Sequence, residues 1–195
     1  MLSKYGLLLA RGFLDRATCQ SIIEETRLKP AAAATVYGRS DAGAVDERVR
    51  KSSRLTPSST TVELVKSRLL EYKPHVEQHF GTSLHDVEEL QFLRYEVGDF
   101  FVAHQDGNTG MIRLDTEADR KVSIVIFLNE QTEGPSAGTY SGGFLKFSDY
   151  RAAPGEREFP LSGEAGMLVA FRAELTHEVT PVTAGERYSI VSWYR

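Results

Sequence analysis

The chain of 195 residues has one cysteine, seven prolines and a single tryptophan. The lone Cys19 excludes an intramolecular disulfide and a thiolate-rich zinc cage, and it points to a reducing compartment. Long apolar runs are missing too. The longest one near the start, Leu7–Ala10, is too short for a secretory leader or a membrane span. Neither sign of charge dominates: 23 Lys plus Arg stand against 27 Asp plus Glu, a formal charge of −4. Such a surface has little general attraction for phosphate backbones or anionic membranes. The expectation is a cytoplasmic protein with no membrane partner and no nucleic-acid partner.

What is present fits one domain over residues 1–195. At 41% hydrophobic residues, a chain of this length buries enough apolar surface to fold without crosslinks. Residues 5–14 are strand-like. Asp15 can cap a helix reaching about Arg27, with Cys19, Ile22 and Ile23 on its apolar face. Residues 30–46 are rich in Ala and Gly and read as a loop. After the basic stretch 48–54, Thr60 and Glu63 have the spacing of a capping box for a second helix, with Val62, Val65, Leu69 and Leu70 as its apolar side. From residue 88 short apolar or alternating runs follow one another (89–96, 100–105, 121–128, 143–148, 166–171, 176–182 and 187–194) between Gly-, Pro- and Asp-containing segments. The expected fold is mainly β with supporting α-helices. Residues 1–87 form a helical support region with a first strand, and 88–195 form a double-sheet jelly roll with the helices packed on one sheet.

Five histidines allow few chemical constellations. His104 and Asp106 form an H-x-D pair in FFVAHQD, and residues two apart on a strand share a face. Such a triplet also recurs by chance. His177, in LTHEVTPV, adds a second imidazole from another predicted strand. Two histidines and a carboxylate make the facial triad of a non-haem Fe(II) centre, which leaves positions open; zinc is the chemical competitor. Arg187 lies ten residues after His177, across a turn containing Pro181 and Gly185, where a hairpin could bring the two together. A guanidinium inside a jelly roll needs a carboxylate, none is evident nearby, and a bound dicarboxylate would complete it. The alternative is a strand-end Arg187 with its head in water.

These residues resemble the prolyl 4-hydroxylase-like iron(II) and 2-oxoglutarate dioxygenases. Tyr95 precedes the H-x-D in RYEVGDFFVAHQD, SGGFLKF resembles a Gly-Gly segment of that family, and His177, Arg187 and Trp193 follow in order. The resemblance implies a double-stranded β-helix in which His104, Asp106 and His177 bind Fe(II). It further implies 2-oxoglutarate with its far carboxylate on Arg187 and the Tyr95 hydroxyl, O2 as oxidant, and ascorbate as a further candidate cofactor. The implied reaction hydroxylates an unactivated C–H bond and releases succinate and carbon dioxide. Asp106 stands where related halogenases carry a small residue, which favours hydroxylation. Phe127 replaces a tyrosine of the oxygen-sensing branch, removing one hydrogen bond to the cosubstrate. Leu145, Trp193 and Arg54 are further candidates for the cosubstrate or substrate pocket, and the segments 30–46 and 107–120 are candidate lids.

Other residues read as structural. His75 and His79 lie one helical turn apart in HVEQH, which is not a zinc-protease motif, and suit a helix surface. Cys19 suits a packed thiol. The expected substrate is a prolyl residue of a protein or peptide, with a free amino acid or another small molecule as the alternative. The repair-enzyme branch of the resembled dioxygenases pairs its anchor Arg with a second Arg six residues on, where this chain has Trp193, so the resemblance does not extend to nucleic-acid demethylation. A catalytically silent jelly-roll binding module and a zinc hydrolase are the readings from other classes. Oligomeric state is not readable from the sequence.

Overall fold

A computed structural model describes residues 5–35, 45–107, 120–134, 136–149, 153 and 157–195. The chain begins with β1 (Leu8–Ala10) and α1 (Arg16–Arg27). Three short strands, β2 (Ala32–Ala33), β3 (Arg50–Lys51) and β4 (Ser53–Leu55), lead to α2 (Ser59–Phe80). Then come β5 (Gln91–Tyr95), β6 (Phe100–His104), β7 (Val122–Phe127), β8 (Tyr140–Gly142) and β9 (Leu145–Ser148). The last five are β10 (Glu158–Leu161), β11 (Leu168–Arg172), β12 (Thr176–Val179), β13 (Val182–Gly185) and β14 (Arg187–Tyr194).

Two sheets carry the fold. The larger has seven strands in the order β1-β11-β7-β14-β5-β4-β2, the smaller has five in the order β10-β9-β12-β6-β3, and β13 pairs with β8 apart from both. Among the described residues every strand pair within the sheets is antiparallel, as expected where hairpins and crossovers alternate between two layers. Helix α1 starts at Asp15, whose carboxylate accepts the Thr18 amide at 2.8 Å. Helix α2 starts earlier than the Thr60–Glu63 spacing predicts, because Ser58 takes the cap and accepts the Thr61 amide. The Glu25 carboxylate, on α1, accepts from both the Ser58 amide and the Thr61 hydroxyl, which fixes that start and ties the two helices together.

Both helices lie on the outer face of the larger sheet. Val65, Leu69, Val76, Cys19 and Ile22 from the helices bury against Phe92, Ile124, Ile126, Leu168 and Ile190 from the strands. The alternate residues of the same strands, Leu93, Val125, Phe127, Val169 and Phe171, turn inward to the space between the sheets. Period-two alternation therefore gives β7 and β14 two buried faces, one for the helices and one for the interior. This double burial explains why VSIVIF is apolar at every position but Ser123. Among the described residues no helix is long and apolar enough to cross a membrane.

Candidate active site

The inward face of β14 builds one wall of the site. Arg187, Ser189, Val191 and Trp193 point into a cavity of about 470 Å³, while Tyr188, Ile190 and Tyr194 point to the helices. Opposite stands the smaller sheet, where β6 and β12 pair with His104 directly across from His177. Cross-strand partners point the same way, so both imidazoles enter the cavity, with ring centroids 4.2 Å apart. Asp106 lies two residues beyond β6 and outside the strand, in a bend. The amides of Asp106 and Gly107 both donate to the Ala173 carbonyl at 2.9 Å, and this pins the carboxylate beside the imidazoles. A Cβ on Gly107 would come within 2.8 Å of the Ala173 Cβ, so only glycine allows that approach.

The donor atoms converge. His104 Nε2 is 3.5 Å from Asp106 Oδ1, His177 Nε2 is 3.3 Å from Asp106 Oδ2, and one ligand atom of each lies within 4.8 Å of the others. Each imidazole has its Nδ1 2.9 Å from a backbone carbonyl, of Val102 for His104 and of Leu175 for His177. A carbonyl can only accept, so Nδ1 carries the proton and Nε2 faces the cavity as the ligating atom. The Ser123 hydroxyl, from β7, donates to Asp106 Oδ2 at 2.7 Å and orients the carboxylate. Burial pushes the Asp106 carboxyl up, yet the two facing imidazoles outweigh it and hold it well below the usual carboxylate range. Burial and the neighbouring His177 lower His104, while Asp106 outweighs burial at His177 and raises it. Two oriented nitrogens and an ionised carboxylate on one side of an open space fit a divalent transition metal, and that donor set matches a facial triad. Among the described residues this is the only group of three or more His, Cys, Asp or Glu side chains so placed.

Arg187 closes the deep end of the cavity. It is 1% exposed, and its Nη1 donates to the Ser189 hydroxyl at 2.8 Å. The rings of Tyr95 and Phe127 lie 5.1 Å from its guanidinium carbon, and its Nε has no hydrogen-bond partner. Among the described residues no carboxylate pairs with it. A buried, unpaired guanidinium is costly, so the site is built to receive an anion. His177 and Arg187 reach this cavity from opposite sheets and not as neighbours in one hairpin. The residues between them form β13, which leaves the smaller sheet to pair with β8.

Most residues singled out from the sequence come together here. Tyr95, Leu145 and Trp193 line the cavity with the triad, and Phe127 lies beside Arg187. Arg54 does not line it: its guanidinium pairs with Glu89 at 2.7 Å. Arg50, four residues earlier, enters the cavity instead, over the Phe101 ring and hydrogen-bonded to Ser52 and the Thr35 carbonyl. The chain crosses from the smaller sheet to the larger between β3 and β4, which separates these two arginines. The candidate lids fall largely outside the described residues, at 36–44 and 108–119. His75 and His79 sit exposed on α2, the first stacked on Tyr72, and Cys19 is buried with its thiol pushed up to about 11, chiefly by burial. Sequence reasoning missed Ser123 and Tyr140. The aromatic immediately before SGGFLKF is the only sequence signal that could have drawn attention to Tyr140.

Comparison with known proteins gives this geometry a context. A PKHD-type hydroxylase of Burkholderia ambifaria is 29% identical over 168 residues, which cover 86% of this chain and 69% of that protein. The chain spans between 40% and 69% of the length of the first curated relatives it matches. A Pseudomonas putida prolyl-4-hydroxylase superposes with a TM-score of 0.71 at 24% identity, covering 100% of this chain and 94% of that one. A prolyl hydroxylase of Trichoplax adhaerens, solved with a peptide fragment of a hypoxia-inducible factor degradation domain, superposes with a TM-score of 0.70 at 15% identity, covering 99% and 84%. Both confirm the jelly-roll fold. The model of the 2OG-Fe(II) oxygenase superfamily matches residues 90–195, the stretch that carries the triad and Arg187, and the chain belongs to that family of 2-oxoglutarate-dependent dioxygenases.

Proposed function

We propose that this protein hydroxylates a prolyl residue in a protein or peptide, with His104, Asp106 and His177 as the Fe(II) ligands and Arg187 as the anchor of 2-oxoglutarate. The observation that carries this reading is the buried guanidinium of Arg187, unpaired and sharing one cavity with the triad. When bound, the iron and cosubstrate together activate O2 for C–H hydroxylation, with succinate and carbon dioxide as coproducts. The chain supplies placement. Arg187 fixes the far carboxylate of the cosubstrate, which orients its 2-oxo acid end toward the triad. Tyr95, the cross-strand partner of Arg187, holds its ring against the same guanidinium and lines the same cavity, and its hydroxyl is proposed as a donor to the same carboxylate. Val125, Leu145, Val179 and Val191 line the cavity with apolar surface, which keeps water from the reacting carbon.

At the mouth the character changes. The cavity widens into a second space of about 600 Å³ bordered by Arg50, Gln91, Phe101, Gln105, Arg120 and Trp193. A prolyl residue presents an apolar ring flanked by peptide carbonyls. Phe101 and Trp193 suit the ring, while the Arg50 guanidinium and the buried, unpartnered Trp193 Nε1 suit the carbonyls. The peptide bound by the Trichoplax adhaerens neighbour supports the same substrate class. Mass spectrometry of proline-containing peptides and of free proline, each incubated with Fe(II), 2-oxoglutarate and O2, tests this. A +16 Da product on a peptide prolyl residue, dependent on 2-oxoglutarate, is expected. Hydroxylation of the free amino acid alone would replace the peptide assignment with the small-molecule one, and succinate formation with no substrate class would contradict both.

A further inference from the structure

Tyr140 sits at the start of β8, fully buried, and among the described residues its hydroxyl has no hydrogen-bond partner. Its surroundings explain why. A Cβ built on Gly163 would fall 2.1 Å from the Tyr140 hydroxyl oxygen and 2.7 Å from the Phe127 ring, so the hydroxyl lies between a bare glycine and a ring without acceptors. A Cβ on Gly143 would meet Arg187 Cδ at 3.0 Å and the Tyr140 ring at 3.2 Å, so the tyrosine packs against the arginine side chain. A guanidinium can only donate, so it can never accept the phenolic proton. Burial raises the phenol above its usual range, and the hydroxyl stays protonated as a donor.

The frame around this pair is held firmly. Asn129 donates to the carbonyls of Gly138 and Glu186 at 3.1 and 2.7 Å and accepts the Tyr188 amide at 2.9 Å. One side chain thus braces the segments that carry Tyr140 and Arg187. Gln131 exchanges hydrogen bonds with the Gly163 backbone, which keeps the glycine under the hydroxyl. Two buried donor atoms of different chemistry, the cationic Arg187 Nε and the neutral Tyr140 hydroxyl, have no acceptor among the described residues. A carboxylate has two oxygens and satisfies both.

We propose that the Tyr140 hydroxyl donates a further hydrogen bond to the distal carboxylate of the cosubstrate, beside Arg187 and Tyr95, and so strengthens the selectivity for a 2-oxo acid with a carboxylate at its far end. This rests on the assignment of Arg187 as the cosubstrate anchor. The test is anaerobic binding of 2-oxoglutarate and of 2-oxobutanoate, which lacks the far carboxylate, to the Fe(II)-loaded wild type and Tyr140→Phe. Thermal unfolding of the cosubstrate-free proteins is measured alongside. Tyr140→Phe is expected to raise the Kd of 2-oxoglutarate by about tenfold to a hundredfold, to leave that of 2-oxobutanoate unchanged, and to unfold no earlier than wild type. A 2-oxoglutarate Kd within twofold of wild type, or equal weakening of both ligands, overturns the role of Tyr140 while leaving that of Arg187 intact. Wild type that does not prefer 2-oxoglutarate over 2-oxobutanoate overturns the Arg187 assignment and this inference with it.

Discussion

Replacing Arg187 with methionine should move two properties in opposite directions. In the cosubstrate-free protein Arg187 is a buried charge without a counter-ion among the described residues, and its removal recovers several kcal/mol of desolvation. Against this stand two lost ring contacts at 5.1 Å, worth about 1 kcal/mol each, and a hydrogen bond to Ser189 of about 1–2 kcal/mol. Methionine fills similar volume, so no large cavity opens. The net expectation is a stability gain of about 1–3 kcal/mol, read as a later urea midpoint at constant slope. Binding goes the other way. Truncating one side of a buried charge-paired contact costs about 2–5 kcal/mol, so the Kd for 2-oxoglutarate should rise roughly thirtyfold to several thousandfold. Calorimetric titration checks the second half. A variant that unfolds earlier than wild type and binds 2-oxoglutarate normally would refute the reasoning, since Arg187 would then be an ordinary packed side chain.

Three further outcomes follow from single contacts. Gly107→Ala drives a methyl into Ala173 and displaces the Asp106 loop; a loss of about 1–3 kcal/mol and weaker Fe(II) binding are expected, measured by unfolding and metal titration. Ser123→Ala frees Asp106 Oδ2 from its hydroxyl donor, and metal affinity should fall about 10- to 100-fold with little change in fold, as read from a competitive chelator titration. Glu25 is held down to about 2, first by Lys29 and then by Thr61, so it stabilises the protein above the ordinary carboxylate range and that stability is lost as pH falls from about 4.5 toward 2. Its partly exposed setting limits the effect to about 1–2 kcal/mol, and Glu25→Gln should flatten the acid limb of the stability curve by that amount.

How much of this was legible beforehand depended on how local the signal was. The triad showed because metal ligation demands particular residue types, and Arg187 because a cation in an apolar strand needs a reason. Helix α1 showed because Asp15 and its apolar face lie in one continuous stretch. The strands β3, β4, β8 and β13 were not separately visible, since two to four residues carry no periodicity and their pairing is set by distant partners. For the same reason the sequence points to Arg54 and passes over Arg50: the crossing between sheets near Ser52 decides which arginine meets the cavity, and no local pattern encodes it. Ser123 and Tyr140 act through atoms brought together by tertiary packing. A serine in a strand and a tyrosine before two glycines look ordinary until Asp106 and Arg187 are placed beside them.

In the proposed reaction one cavity holds a triad metal and an anchored 2-oxo acid at once. The most direct measurement is an anaerobic titration of the metal-free protein with Fe(II) and then 2-oxoglutarate, followed by visible absorption. A charge-transfer band that needs both additions and disappears in His177→Ala is expected. A well-folded protein that binds Fe(II) and 2-oxoglutarate without that band would contradict this arrangement, because the cosubstrate would then lie away from the metal.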